Sequence, residues 1–263
     1  MSSVSQRAGT GPDRTVKTPE IRLQGWETHW HEWIAQQYGV SLAFLGHALD
    51  LRPDLASRRV RRWVQTGRIQ VGRVDYGWSG PWRRSAYFDG PDTVAQGPLW
   101  VFPPAAAASL CLGFEVNAWE PKPTTVAHLT AVSQLRLTLT GMDTDPDVWT
   151  SERLLRHQFD VGTHIHDAWM LDPDDYDKVW AIEVELTRKS GGGGRLKQTI
   201  KDALTVAQQN DLAGVKYYVR GAGLQRQVQT AANHIARQRG LDHLENFEVH
   251  DLDATLVRDW EVA

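Results

Sequence analysis

From residue 26 the apolar positions recur at helical spacing. Trp26, Trp30, Trp33, Ile34 and Tyr38 mark one stripe, and Gly39 ends it. Ser41 is suited to cap a second helix running through Leu49. A turn at Arg52-Pro53-Asp54 leads to a third helix, about Leu55 to Thr66, stopped by Gly67. Leu55, Val60, Trp63 and Val64 share its expected apolar face, and Arg58, Arg59, Arg61 and Arg62 cover much of the rest. The period then changes to two. Ile69, Val71 and Val74 predict a strand, residues Gly77 to Pro81 a turn, and Ala86-Tyr87-Phe88 a return strand.

Three helices followed by a β-hairpin is the order of a winged helix-turn-helix, assigned to residues 23–98 after a polar, disordered tail at 1–22. Residues 99–123 are rich in Pro, Gly and Ala and read as a connector. From about Thr124 a helical pattern runs through Leu129, Val132, Leu135 and Leu139 to Gly141, and a short helical or irregular piece begins at Trp149. Strand-like segments follow at His164 to Leu171, Val179 to Thr187 and Val215 to Val219, with a last one around Phe247 to Leu252. The acidic turn Asp172 to Asp177 joins the first two, and helices at about Arg195 to Gln209 and Gln225 to Arg239 separate the others. The whole is α+β, with a second domain at 124–263 built on a mixed central sheet.

Charge alters this picture. The net charge of -3 averages two unlike parts: residues 1–100 hold 13 Lys+Arg and 9 Asp+Glu, and residues 101–263 hold 16 and 23. Nine arginines lie between Arg52 and Arg84, against Asp54 and Asp75. Such a local excess calls for an anionic partner. On a helix and hairpin of this order the partner is double-stranded DNA, with Arg58, Arg59 and Arg62 on the third helix and Arg83 and Arg84 in the wing. A protein–protein module with a basic helix is the competing reading. One cysteine, Cys111, excludes an intramolecular disulfide framework and a cysteine-rich zinc site. No apolar run approaches the length of a membrane span and no apolar signal core opens the chain, so a cytoplasmic protein with no membrane partner is expected.

The segment Trp180 to Lys189 carries the chemistry. Alternation sets Trp180, Ile182, Val184 and Leu186 toward a core, and Glu183, Glu185, Thr187 and Lys189 to the other face. Asp167, near the middle of the neighbouring strand across a hairpin, falls beside Glu183. Converging carboxylates repel one another unless a cation or a proton relieves them. Oxygen ligands of this kind suit Mg²⁺ or Mn²⁺, with Asp167 and Glu183 as the metal ligands. Such an ion polarises a phosphate and activates water, and Lys189 supplies a stabilising positive charge. The alternative is that Glu183 and Glu185 are the solvated face of an edge strand.

The boxes Trp149-Thr150-Ser151-Glu152-Arg153, His164-Ile165-His166-Asp167 and Ala181 to Lys189 resemble, in order and rough spacing, those of the plasmid replication-relaxation family of actinobacterial mobile elements. The likeness extends over about residues 25–205. Its second half is similar in turn to the PD-(D/E)xK, restriction-endonuclease-like α/β/α fold. The resemblance implies Glu152 as a helix-borne acid, Asp167 as the main metal ligand and Glu183 as the second acid; beside them, Glu185 and Glu152 are read as supporting acids. It also implies replication or transfer of a plasmid as the setting. Two positions depart from the pattern: His166 stands where a proline precedes the key aspartate, and Glu185 stands where a lysine follows the second acid. Lys189 is four residues beyond Glu185, roughly 13 Å along an extended strand.

Other features compete. His164 and His166 have the His–hydrophobe–His spacing of a rolling-circle nickase metal site, for which Tyr217 or Tyr218 would be the nucleophile. Gly191 to Gly194 lack a phosphate-loop context and read as a flexible loop. The sequence reading is therefore a DNA-binding, metal-dependent nickase or endonuclease, with a second copy of the chain as a further candidate partner. Its rival is a non-enzymatic DNA-binding regulator or replication accessory protein on a degenerate nuclease fold.

Overall fold

The structure is a computed structural model and describes residues 23–74, 97–187 and 192–256. The tail at 1–22, the expected turn and return strand at 77–88, Arg83, Arg84 and Lys189 lie outside these residues.

Helix α1 (Gly25–Gln36) starts with a capping box in which the Gln24 N–H donates to Glu27 Oε2 at 2.9 Å. It ends with Tyr38 at φ 66°, a left-handed position that ordinarily suits glycine. The glycine stands one residue later because a Cβ on Gly39 would lie 2.7 Å from the Cβ of Phe102. The short strand β1 (Val40–Ser41) follows, and the Ser41 hydroxyl accepts from the Phe44 N–H to cap α2 (Leu42–Ala48). Helix α3 (Pro53–Gln65) has Pro53 in its first turn, where a missing N–H costs nothing. Only Ala56, Val60 and Trp63 of α3 are buried, whereas Leu55 and Val64, expected in the core, are each 37% exposed.

Strand β2 (Gln70–Arg73) pairs antiparallel with β3 (Leu99–Phe102), and β3 also pairs with β1, giving a three-stranded sheet of order β1-β3-β2. The connector reading of 99–123 thus missed a central strand and helix α4 (Ala105–Leu112). Leu99-Trp100-Val101-Phe102 is a continuous apolar run between prolines, and a strand buried on both faces shows no alternation to detect.

Helix α5 (Val126–Thr140) lies between this unit and a second sheet, which explains burial around most of its circumference. Strand β4 (Trp149–Ser151), helix α6 (Glu152–Gln158), and strands β5 (Ala168–Asp172) and β6 (Asp175–Glu185) come next. Helix α7 (Gly192–Gln209) leads to β7 (Gly214–Val219), α8 (Ala222–Gln238) to β8 (Phe247–Asp251), and α9 (Leu252–Thr255) ends the described chain. The sheet order is β4-β5-β6-β7-β8, with antiparallel pairing through β6 and parallel pairing beyond. Parallel neighbours require crossovers, and α7 and α8 supply them.

Two cores flank this mixed sheet. Trp180, Ile182 and Val184 pack with Leu135, Val132 and Leu252 on one face. Ala181, Val215, Tyr217 and Val219 pack with Ile200, Leu204, Val228 and Ile235 of α7 and α8 on the other. Strand β6 is therefore central, and the face carrying Glu183 is covered by helices instead of bathed in solvent.

Buried polar contacts join the two units. Arg136 of α5 donates to Gln36 Oε1 at 2.6 Å and to the Asp143 carbonyl at 2.7 Å, and its guanidinium lies over the rings of Trp33 and Trp149. Arg153 donates to the Ala35 carbonyl at 2.8 Å and lies over the Tyr38 ring. Among the described residues, no helix is long and apolar enough to cross a membrane.

Candidate functional site

The register brings the acids of three separate boxes together. Ser151 pairs with Ala168, and Ala168 with Ile182. One step further along the sheet, Glu152, Asp167 and Glu183 fall in one row across β4, β5 and β6. The Glu152 N–H donates to the Asp167 carbonyl at 3.0 Å, and the Asp167 N–H to the Ile182 carbonyl at 3.1 Å. Tyr217 continues the row opposite Glu183. This end of the sheet is where the parallel strands β6, β7 and β8 finish, the usual place for ligands on such sheets.

The carboxylates nevertheless pair separately. Strand β5 begins only at Ala168, so Asp167 escapes strand alternation and turns toward α5. Its Oδ1 lies 2.8 Å from His128 Nε2, and its Oδ2 accepts from the Val184 N–H at 2.7 Å. Glu183, 7% exposed, holds the ordinary β6 alternation on the face of α7 and α8, where His164 Nε2 lies 2.7 Å from its Oε1. Burial works against charging His128, yet the neighbouring Asp167 carboxylate pushes its pKa up to about 9. Burial likewise opposes the charge on His164, and the Glu183 hydrogen bond more than compensates, raising its pKa. Two histidines thus supply the relief that repelling carboxylates demand.

Glu152 opens α6 and accepts from Arg156 Nε at 2.9 Å. Burial, then the nearby Asp167 charge, raises its pKa despite Arg156. Glu185 sits half-buried at the end of β6, at the place of the expected lysine.

His164, His166 and Glu183 present ligand atoms within 4.8 Å of one another. His166 is a poor ligand there. Its Nδ1 accepts from the Trp169 indole N–H at 2.9 Å, which leaves Nε2 as the donor to the Ala203 carbonyl at 3.0 Å. Both ring nitrogens are engaged, and burial together with His164 lowers the pKa to about 4. The rolling-circle alternative loses its tyrosine nucleophile as well. Tyr217 and Tyr218 are buried in β7, and burial raises both phenol pKa values, that of Tyr218 to about 12.

For a hard cation shared by Asp167 and Glu183 the donors are of the right chemistry, carboxylate oxygens from neighbouring residues of one row, but the side chains diverge, Asp167 to His128 and Glu183 to His164, so a shared ion requires Asp167 to turn. Among the described residues the buried Tyr217 hydroxyl, opposite Glu183, has no hydrogen-bond partner.

The arginines of α3 divide into two sets. Arg59 and Arg62 each donate to Oε1 of the fully buried Glu27 at 3.1 Å, and the Trp63 indole N–H donates to the same oxygen at 2.9 Å. Burial pushes the Glu27 pKa up, but the Gln24 N–H, Trp63 and the two arginines outweigh it and hold the group below its usual value. Arg58 and Arg61 are exposed, and Arg58 pairs with the exposed Asp54 at 3.3 Å. Sequence reasoning proposed Arg59 and Arg62 for DNA and passed over Arg61. It also missed His128, Gln37 and Tyr38 at the acid row. His128 sits in the helical pattern of α5, and nothing in the sequence ties residue 128 to residue 167.

Comparison with protein-family models, curated proteins and solved structures finds no match to this chain.

Proposed function

We propose that this chain is a DNA-binding protein of a plasmid or mobile element whose second sheet carries a metal-dependent nickase or endonuclease site. The observation that carries the reading is the single row Glu152–Asp167–Glu183, assembled from three distant boxes at the finishing end of the parallel strands. Strand-helix alternation with helices on both faces supports the restriction-endonuclease-like fold. The order α1-β1-α2-α3-β2-β3 with sheet order β1-β3-β2 supports a winged helix-turn-helix. In that arrangement α3 is the helix offered to the major groove, and Arg58 and Arg61 are its available cations.

Asp167, once turned from His128, and Glu183 would hold Mg²⁺ or Mn²⁺, and such an ion supplies charge neutralisation at the phosphate and a more acidic water. Glu152 shapes the approach to Asp167, and Glu185 adds negative charge beside Glu183. His128 and His164 keep the two carboxylates paired in the metal-free protein.

One observation favours the non-enzymatic regulator. Glu185 occupies the position where this chemistry expects a lysine, and it brings the opposite charge. Nicking of supercoiled plasmid with Mg²⁺ or Mn²⁺ separates the two. Cleavage is expected, and Asp167→Ala or Glu183→Ala should abolish it. Absence of cleavage by the wild type, with intact DNA binding, establishes the regulator. Duplex affinity should fall steeply with salt. Arg58→Ala and Arg61→Ala should each flatten that slope by about one, whereas Arg59→Ala should act first on stability.

A further inference from the structure

A small void lies on the opposite side of Asp167 from Glu183, between the two units. It is lined by Gln37 and Tyr38 at the end of α1, by His128 of α5, and by Ser151, Glu152 and Asp167. Its volume of about 10 Å³ is room for one water-sized occupant. Two buried polar atoms at its wall have no hydrogen-bond partner: Ser151 Oγ, in a residue 2% exposed, and Gln37 Nε2, in a residue 3% exposed. A buried polar group without a partner has lost its hydration with nothing in return, so two of them around one void call for an occupant. The strained left-handed Tyr38, whose ring lies under Arg153, holds the corner that brings Gln37 there.

We infer that this void is a cation site at the junction of the two units, built from His128 Nε2, Asp167 Oδ1, Ser151 Oγ and the Gln37 side-chain oxygen, and suited to a first-row divalent ion such as Mn²⁺. A half-turn of the Gln37 amide presents its oxygen in place of its nitrogen. Metal–ligand bonds of about 2.1 Å at right angles put adjacent ligands about 3 Å apart. His128 Nε2 and Asp167 Oδ1 already stand 2.8 Å apart. An ion inserted between them takes one carboxylate oxygen and the imidazole lone pair, and the proton the pair shares leaves to solvent. Glu152, held by Arg156, completes the charge from a second layer. One imidazole among oxygen ligands favours Mn²⁺ over Mg²⁺. The site rests on the proposed metal chemistry of Asp167 but not on Glu183, and it makes the N-terminal unit supply a ligand.

The test is Mn²⁺ binding to the full chain, followed by loss of the free-ion paramagnetic signal, with no activity measured. Two ions are expected for the wild type. Ser151→Ala and Gln37→Leu should each weaken one of them about tenfold while the other is unchanged, with unaltered circular dichroism. Glu183→Gln should weaken the other ion only. Ser151→Cys should move the junction site toward Zn²⁺ and Cd²⁺, a gain that unfolding cannot imitate. A single ion that is lost in Glu183→Gln and indifferent to Ser151→Ala and Gln37→Leu overturns the junction site and leaves the strand site standing. A single ion with the reverse pattern establishes the junction site and removes Glu183 from the metal. No uptake of Mn²⁺ at all overturns the inference.

Discussion

Replacing Glu27 by glutamine tests how the basic helix is held. The carboxylate is fully buried, and four donors meet it: Arg59 and Arg62 at 3.1 Å, the Trp63 indole at 2.9 Å and the Gln24 N–H at 2.9 Å. Hydrogen bonds to a charged group contribute about 1.5–3 kcal/mol each, and neutral ones about 0.5–1.5. Glutamine keeps one oxygen for the indole and the two guanidinium groups but turns two ion pairs into weaker bonds to a neutral acceptor, and it offers an N–H to the Gln24 N–H. Arg59 and Arg62 retain partial exposure and recover hydration, which limits the loss. The expected cost is about 2–3 kcal/mol, and roughly 5–10 °C in Tm for a chain of this size. Glu27→Ala, which also leaves the buried indole without an acceptor, should cost about 3–5 kcal/mol. Urea titration and thermal melting measure both. In a double-mutant cycle, Arg62→Ala should cost at least 1 kcal/mol less in the Glu27→Gln background than in the wild type, an order-of-magnitude coupling for groups in contact. A Glu27→Gln melting point within a degree of the wild type refutes the buried hub, and Arg59 and Arg62 then return to the DNA-facing set.

Two further outcomes concern the acid row and the α1 corner. In the metal-free protein the pKa of His128, raised to about 9 from 6.5, contributes stability that is complete below pH 6.5 and is lost as pH rises through 9. Allowing for the partial exposure of His128, the wild type should lose on the order of 1 kcal/mol more than Asp167→Asn between pH 6 and pH 10; equal losses in urea titrations would show the pair uncoupled. Gly39→Ala places a methyl 2.7 Å from the Cβ of Phe102 and 3.0 Å from the Val101 carbonyl, so melting should show a loss of about 1–3 kcal/mol, and a neutral result would mean that β1 and β3 yield easily.

Much of this was legible along the chain because it depends on neighbours in sequence. Ser41 caps α2 as its hydroxyl and position demand, and Gly67 follows α3. Alternation in 180–186 divided Trp180, Ile182 and Val184 from Glu183 and Glu185, and the two cores follow that division. The hairpin turn after Asp172 and the helices between the parallel strands were readable for the same reason. Periodicity reports which side chains share a face, and that is a local property.

It does not report what covers the face. The alternative reading of Glu183 and Glu185 as a solvated edge stood until β7 and β8 took their places beyond β6 and made it central. Leu99 to Phe102 became the middle strand of the small sheet only by pairing with two segments far from it in sequence. Arg59 and Arg62 look like Arg58 and Arg61 in any window of sequence, and Glu27, some thirty residues earlier, decides which pair is bound to a buried carboxylate and which stays exposed. Asp167 was placed beside Glu183 by the hairpin, yet its side chain turned to His128 because the strand begins one residue too late to dictate its direction. The sequence by itself determined most of the elements, their faces and the spacing of the acids. Tertiary structure alone decided their partners, since charge neutralisation and burial depend on atoms that distant segments bring within 3 Å.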